Sequence, residues 1–219
     1  CSNLEFVIPM AGKSTRNYPH SKGLPHKALL PFGSMKIIDH IINDIVQIGG
    51  ENITLIVNSK DTEKYFKESG NYEDKILEKF RDDKKIYDLL KNINECYKKV
   101  NEKNDNEKKE NIKFVIQEKP KGEAHAIGLA NKRAEGRNLV YIRPDDIIIP
   151  IDNFNSSFLY DSVSEYLKKE GGNMACLRTV EDPTKYGVII NGKPVEKPCA
   201  AKCKKYGIKE AIIYTSFFS

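Results

Sequence analysis

The sequence predicts an α/β fold: a doubly wound, mostly parallel, Rossmann-like sheet flanked by helices, with a small mixed β region toward the carboxyl end. Three observations lead there. Short apolar runs rich in β-branched residues recur at Leu4–Ile8, Ile53–Val57, Ile112–Ile116 and Asn138–Ile142. Continuous runs of that length suit parallel strands buried on both faces. Stretches of helical periodicity separate them, which is β-α-β spacing. The strand ends near 9, 57, 117 and 143 lead into small, polar or charged residues, and open α/β sheets bind their ligands at that edge.

Leu4–Ile8 (LEFVI) reads as the first strand, broken at Pro9 into a loop holding Ala11, Gly12, Lys13, Ser14, Thr15 and Arg16. A strand that ends in small residues and then a cation suits an anion. Small side chains let backbone N–H groups approach, and the cation adds charge to those hydrogen bonds. The loop is not a P-loop, because the first Gly of that motif would fall at Val7. It is not the dinucleotide fingerprint either, because only Gly12 of the required glycines is present.

Met35–Ile48 is apolar at 37, 38, 41, 42, 45, 46 and 48, one wide helical face for a sheet, and Gly49 and Gly50 stop it. Ile53–Val57 (ITLIV) completes a βαβ unit. Asp61–Val100 is charged with helical spacing, and 101–111 is nearly all Lys, Glu, Asp and Asn, a solvated loop or fraying helix end. Ile112–Ile116 returns to a strand. Gln117–Ile127 is a loop running into a helix over Ala124–Ala134. The strand Asn138–Ile142 ends in Arg143-Pro144-Asp145-Asp146. A helix over about Ser156–Lys169, a strand at Asn173–Thr179, a turn at Asp182–Val188 and a strand at Val188–Ile190 follow. Asn191-Gly192 is a hairpin turn signal. Val195–Pro198 reads VEKP, and Ala211–Thr215 is a last short strand.

Composition sets bounds. At 219 residues the chain suits a single domain, 1–219, with a real core. Hydrophobic residues make up 39% and charged residues 31%, as in ordinary soluble domains. A net charge of +5 fits a small anionic substrate, but with no Trp and no RNA-binding motif nucleic acid is not the expected partner. No apolar run approaches bilayer length and no signal peptide is visible, so no membrane partner and a cytoplasmic location are expected. The five cysteines include the spaced pair Cys199 and Cys203 without a His cluster beside it, which reads as reduced thiols rather than zinc.

Taken in order, these motifs resemble the sugar-1-phosphate nucleotidylyltransferases. Gly12, Thr15, Arg16, Pro19, Pro25, Lys27 and Pro31 match the family's G-x-G-T-R loop with its later Pro and P-K elements. Ser14 stands where the second Gly would be, and His26 stands between Pro25 and Lys27, leaving the lysine register open by one residue. Gln117, Gly122, His125 and Ala126 match the second nucleotide loop, Asp145 matches the metal-binding Asp, and Tyr186-Gly187-Val188 with Val195-Glu196-Lys197-Pro198 match the sugar-phosphate segments. The resemblance is nearest to the bacterial-type UTP–glucose-1-phosphate uridylyltransferases, through the long helical insertion before Gln117, the Gly-x-x-His-Ala arrangement and the Pro before Asp145. Taken singly, Gln117 reads as a surface amide, Asp145 and Asp146 as a turn pair, and Glu196 and Lys197 as solvated charges; it is their order along the chain that favours a site.

The resemblance implies nucleotidyl transfer: an oxygen of glucose-1-phosphate attacks the α-phosphorus of UTP in line and pyrophosphate leaves. It implies Arg16, Lys27 and Lys197 as catalytic residues, on the pyrophosphate, the α-phosphate and the sugar phosphate respectively. Ala11, Gly12, Gln117 and Gly122 would bind the nucleotide, Gly187 and Glu196 the sugar, and Asp145 a Mg²⁺ ion. Residues 1–150 then form the nucleotide half and 151–219 the sugar-phosphate half, with a carboxyl end shorter than is usual in the family. Two alternatives stand beside this reading: dTTP in place of UTP, and a non-catalytic sugar-nucleotide-binding regulatory protein. A homo-oligomer is left open, and the segment from Cys199 to Ser219 is hard to align with the family.

Overall fold

A computed structural model describes residues 3–12, 24, 26–33, 35–69, 84, 87, 88, 91, 112–119, 121–145, 148, 158–169 and 172–219. Arg16, Ser14, Asp146 and the charged stretch 101–111 lie outside the described residues, as does most of the helical reading of 70–100.

Strands β1 (Leu4–Met10), β2 (Pro31–Phe32), β3 (Met35–Lys36), β4 (Ile53–Val57), β5 (Ile112–Ile116), β6 (Asn138–Ile142), β7 (Met174–Thr179), β8 (Gly187–Ile190), β9 (Lys193–Glu196) and β10 (Glu210–Phe218) alternate with helices α1 (Ile37–Gln47), α2 (Lys60–Ser69), α3 (Glu123–Asn131), α4 (Phe158–Leu167) and α5 (Ala200–Tyr206). Six strands form the main sheet in the order β5-β4-β1-β6-β10-β7. The first four pair in parallel, and β10 runs antiparallel to both β6 and β7. The sheet is the predicted one, mostly parallel with helices on both faces.

The two faces read off β1. Leu4, Phe6, Ile8 and Met10 point into a core shared with Ile38, Ile41, Ile42 and Ile45 of α1 and with Leu159, Val163 and Tyr166 of α4. Val7 and Ala11 point the other way, against Ala126 and Ala130 of α3 and Ala134 just beyond it. The small residues of α3 let that helix sit close to the sheet. At the turn after α1, an ideal Cβ on Gly50 would lie 2.5 Å from Ile45 Cγ2 and 2.7 Å from the Phe6 ring, so only glycine fits there without displacement.

Pro9 does not break the strand. β1 runs to Met10 and pairs there with Val57. The Phe6 N–H points to the Asn52 carbonyl on the β4 side, so by alternation the missing N–H of Pro9 faces the β6 side. Pairing with β6 stops at Val7, so no ladder bond is lost, which is where a sheet tolerates proline. The carboxyl end also departs from expectation. The last strand is nine residues long rather than five, and it fills the gap between β6 and β7. Buried Thr215 and Ser216 interrupt its apolar pattern. Helix α5 has only Cys203 buried, too thin a face for the sequence pattern to show.

Among the described residues, Glu5 and Arg137 form a largely buried charge pair. Glu5 on β1 is 0% exposed. Its Oε1 accepts from Thr54 Oγ1 at 2.6 Å and its Oε2 from Arg137 Nε at 2.9 Å, with Arg137 Nη2 at 2.8 Å. Both carboxylate oxygens are thus satisfied, which burial of a charge requires.

Candidate functional site

The four parallel strands stand in the order third, second, first, fourth along the chain, so the direction of winding reverses between β1 and β6. Open α/β sheets place ligands in the crevice at the carboxyl ends of the strands flanking that reversal. Gly12 follows β1 there and Asp145 follows β6. Their neighbour is a short 3₁₀ turn, Lys27–Leu29, whose cap is His26. His26 is 3% exposed and its Nδ1 accepts the Ala28 N–H at 3.1 Å. Ala28 and Leu29 are buried in the core beside α1, which anchors the turn. The turn carries Lys27 toward β6, where its Nζ lies 2.5 Å from Asp145 Oδ2.

The electrostatics follow from burial and this ion pair. Burial pushes the Asp145 carboxyl up, but the hydrogen bond and charge of Lys27 outweigh it and leave the group below the usual carboxylate range. His26 falls to about 4, through burial first and the Lys27 charge second, with the Asp145 charge opposing. At neutral pH the cluster therefore pairs a cation with an anion and places an uncharged imidazole beside Gly12.

A second cluster lies at the end of β5. The Gln117 N–H donates to Val57 O at 2.7 Å, holding the residue at the end of the sheet. Its side chain is buried, with Nε2 2.7 Å from Nδ1 of His125 on α3. Gly122 caps α3 with φ of +93°, a backbone conformation that side chains disfavour. The glycine is needed by the loop's path, since open space surrounds its missing Cβ. Sequence reasoning did not foresee the next contact. Arg143, just past β6, donates from Nε and Nη2 to the two oxygens of Glu123 at 3.2 and 3.1 Å. This bidentate pair ties the first turn of α3 to the strand that carries Asp145. The only sequence signal was one acid at a helix start and one Arg at a strand end.

The third cluster is the β8–β9 hairpin. Asn191 and Gly192 both have positive φ, the type I′ turn their pairing predicts. Gly187 pairs with Glu196 across the hairpin, and a Cβ on Gly187 would lie 3.1 Å from Glu196 Oε2. Lys197 sits at φ of +44°, held by its N–H on the Tyr186 carbonyl at 3.0 Å. A lysine in that region costs about 1 kcal/mol or more and calls for a reason.

Topology relates the third cluster to the others. Strand β7 runs parallel to β6, so 180–209 is an insertion leaving the same carboxyl edge. Thr215 is level with Ile142, the last residue of β6, while Glu210 pairs with Thr179 further out. The β7–β10 ribbon therefore rises past the sheet by roughly 15 Å at ordinary strand spacing. β8 packs against β10 on that wall. Ala11 is buried at the base of the first loop. Of the predicted site residues, Lys27 and Asp145 come together directly, and Gly12 lies beside His26, the cap of the same turn. Gln117 and Gly122 lie at the same edge, Gly187, Glu196 and Lys197 on the wall beyond it, and Arg16 outside the described residues. Among the described residues no group of three or more His, Cys, Asp or Glu side chains could hold a metal.

A mostly parallel α/β sheet whose strand order reverses between β1 and β6 has the topology in which nucleotides bind at the carboxyl edge of the strands. The sequence model of the nucleotidyl transferase family matches residues 6–209, and the chain belongs to that family. It is 29% identical over 188 residues to a UTP–glucose-1-phosphate uridylyltransferase of Escherichia coli (strain K12), covering 84% of this chain and 56% of that relative. The crystal structure of a UDP-glucose pyrophosphorylase complexed with UDP-glucose shares the fold, with a TM-score of 0.71 at 23% identity over 98% of this chain and 75% of that one. So does a Bacillus anthracis structure, provisionally described as a glucose-1-phosphate thymidylyltransferase, in complex with sucrose: TM-score 0.62, 20% identity, 99% of this chain and 71% of that one. The chain spans less than two thirds of the length of the curated relatives it matches. Among the described residues no helix is long and apolar enough to cross a membrane.

Proposed function

We propose that the chain transfers a uridylyl group from UTP to glucose-1-phosphate and releases pyrophosphate. In this reading residues 1–150 serve the nucleotide and residues 151–219 the sugar phosphate. The observation that carries it is the Lys27–Asp145 pair at the switch point of the sheet, with His26 of the same turn beside Gly12.

The work asked of the protein is alignment and charge neutralisation, since the attacking phosphate is already an anion and needs no general base. Lys27 faces the α-phosphate, Arg16 the departing pyrophosphate, and Lys197 steers the sugar phosphate. Ala11 and Gly12 offer backbone to the phosphates. Gln117, with its side chain fixed by His125, and the open backbone at Gly122 read the base. Gly187 leaves room for the sugar beside Glu196, whose carboxylate accepts hydroxyl hydrogen bonds.

The donor set fits a hard divalent cation that draws most of its ligands from substrate phosphates and water. Asp145 is exposed, and only its Oδ2 is bonded to Lys27. Mg²⁺ held by Asp145 would supply further neutralisation of phosphate charge.

The test is pyrophosphate release, measured across a panel of nucleoside triphosphates and sugar-1-phosphates with Mg²⁺. Turnover should be highest with UTP and glucose-1-phosphate. A preference for dTTP would move the base assignment, and no turnover with any pair would favour a sugar-nucleotide sensor.

A further inference from the structure

His26 caps a 3₁₀ turn through one edge of its ring, and the other edge is left for a ligand. Nδ1 accepts the Ala28 N–H, so in the neutral ring the proton resides on Nε2. That nitrogen is a donor whether or not the ring is charged. A Cβ built on Gly12 would lie 3.8 Å from Nε2, so the donor edge covers the first residues after β1. Among the described residues, no hydrogen-bond partner of Nε2 is found. The residue is 3% exposed, yet Nε2 is not among the fully buried polar atoms that lack a partner, so this edge of the ring keeps access to the crevice.

We infer that His26 Nε2–H is an oxyanion donor that binds a phosphate oxygen of the nucleoside triphosphate over Gly12, next to the Lys27 ammonium. The assignment rests on the nucleotide reading given above and adds a residue to it. Physically, the fixed tautomer gives a preorganised dipole with no side-chain entropy left to lose, on the side of the loop where Gly12 leaves backbone open. The role is substrate binding and is separate from the capping role of the same ring.

Two isosteric substitutions separate the two roles. His26→Asn places an amide near the Nδ1 position, so the cap on Ala28 is kept and the outer donor is lost. His26→Gln places an amide N–H near the Nε2 position, keeping the donor at the expense of the cap. Affinity for UTP and for inorganic tripolyphosphate is measured by calorimetry on the full chain, with the unfolding midpoint of each variant. His26→Asn should weaken both ligands by about 10- to 100-fold, the range for a hydrogen bond to a charged group, and raise KM for UTP more than it lowers kcat. His26→Gln should bind within about threefold of wild type. Asn binding like wild type, or Gln binding no better than Asn, would overturn the inference. A second measurement does not depend on variants. The imidazole Nε2–H signal of wild type, followed by nitrogen-15 NMR, should shift on addition of UTP, and an unmoved signal at saturation counts against the donor. Wild type that binds neither UTP nor tripolyphosphate rejects the nucleotide reading and this inference together. Wild-type binding with an unaffected Asn variant rejects the inference alone.

Discussion

Two lysine- or arginine-to-carboxylate pairs with similar distances should respond very differently to loss of the cation. Arg137→Ala strips Glu5 of its guanidinium, leaving only Thr54 on a carboxylate that is 0% exposed in the middle of the sheet. Water cannot reach the orphaned charge without opening β1, and breaking a buried pair from one side costs about 3–5 kcal/mol. Against a total stability of about 5–15 kcal/mol for a domain, that is a large share. Lys27→Ala removes a contact of 2.5 Å, yet the Asp145 side chain is 44% exposed and rehydrates. The expected stability loss is about 0–1 kcal/mol. Urea unfolding followed by circular dichroism measures both. At an m-value of about 2 kcal/mol/M the Arg137 variant should unfold roughly 2 M earlier, with the Lys27 variant near wild type. Replacing both partners, Glu5→Leu with Arg137→Met, should recover most of the loss because no charge is then stranded. A cost below about 1 kcal/mol for Arg137→Ala, or equal destabilisation of the two alanine variants, would contradict this difference between a buried and an exposed pair.

Three further outcomes follow from local geometry. Burial, with the His40 charge opposing, raises Asp44 to about 6. The folded value exceeds the unfolded one, so the ionised group costs stability above about pH 6, and that cost fades as pH falls toward 4. Asp44→Asn should therefore stabilise the chain by about 2 kcal/mol at pH 8 and not at pH 4, as seen in unfolding midpoints across that range. Gly50→Ala should cost about 1–3 kcal/mol by overpacking, because the new methyl meets the Ile45 carbonyl at 2.9 Å as well as two side chains; an unchanged melting temperature would contradict it. Gly187→Ala should push Glu196 aside and raise KM for the sugar phosphate several-fold while leaving KM for UTP unchanged, in steady-state assays of pyrophosphate release.

The parallel half of the sheet was legible because its strands are continuous apolar runs, and runs such as Ile53–Val57 have no competing helical period. Their order was legible only as β-α-β connectivity. The site's first half was legible for a related reason: strand ends can be located, and Gly12, Gln117 and Asp145 each sit just past one. Contacts made across the sheet were not. Nothing in the sequence pairs Arg137 with Glu5 or Arg143 with Glu123, because those partners are far apart in the chain. His26 looked like an insertion in a motif, since its burial and its bond to Ala28 depend on a tertiary turn. The final strand was underestimated because buried Thr215 and Ser216 break its apolar run, and Pro9 was read as a break because the side of the strand its nitrogen faces is a property of register.

The most direct test of the central claim, that the crevice between β1 and β6 performs phosphoryl chemistry, is the initial rate of pyrophosphate release for wild type, Lys27→Ala and Asp145→Ala under saturating UTP, glucose-1-phosphate and Mg²⁺. Each variant should lose roughly 100-fold or more, the loss typical of removing a preorganised charge from a transition state, while unfolding at the wild-type midpoint. Wild-type rates in both variants would contradict the account.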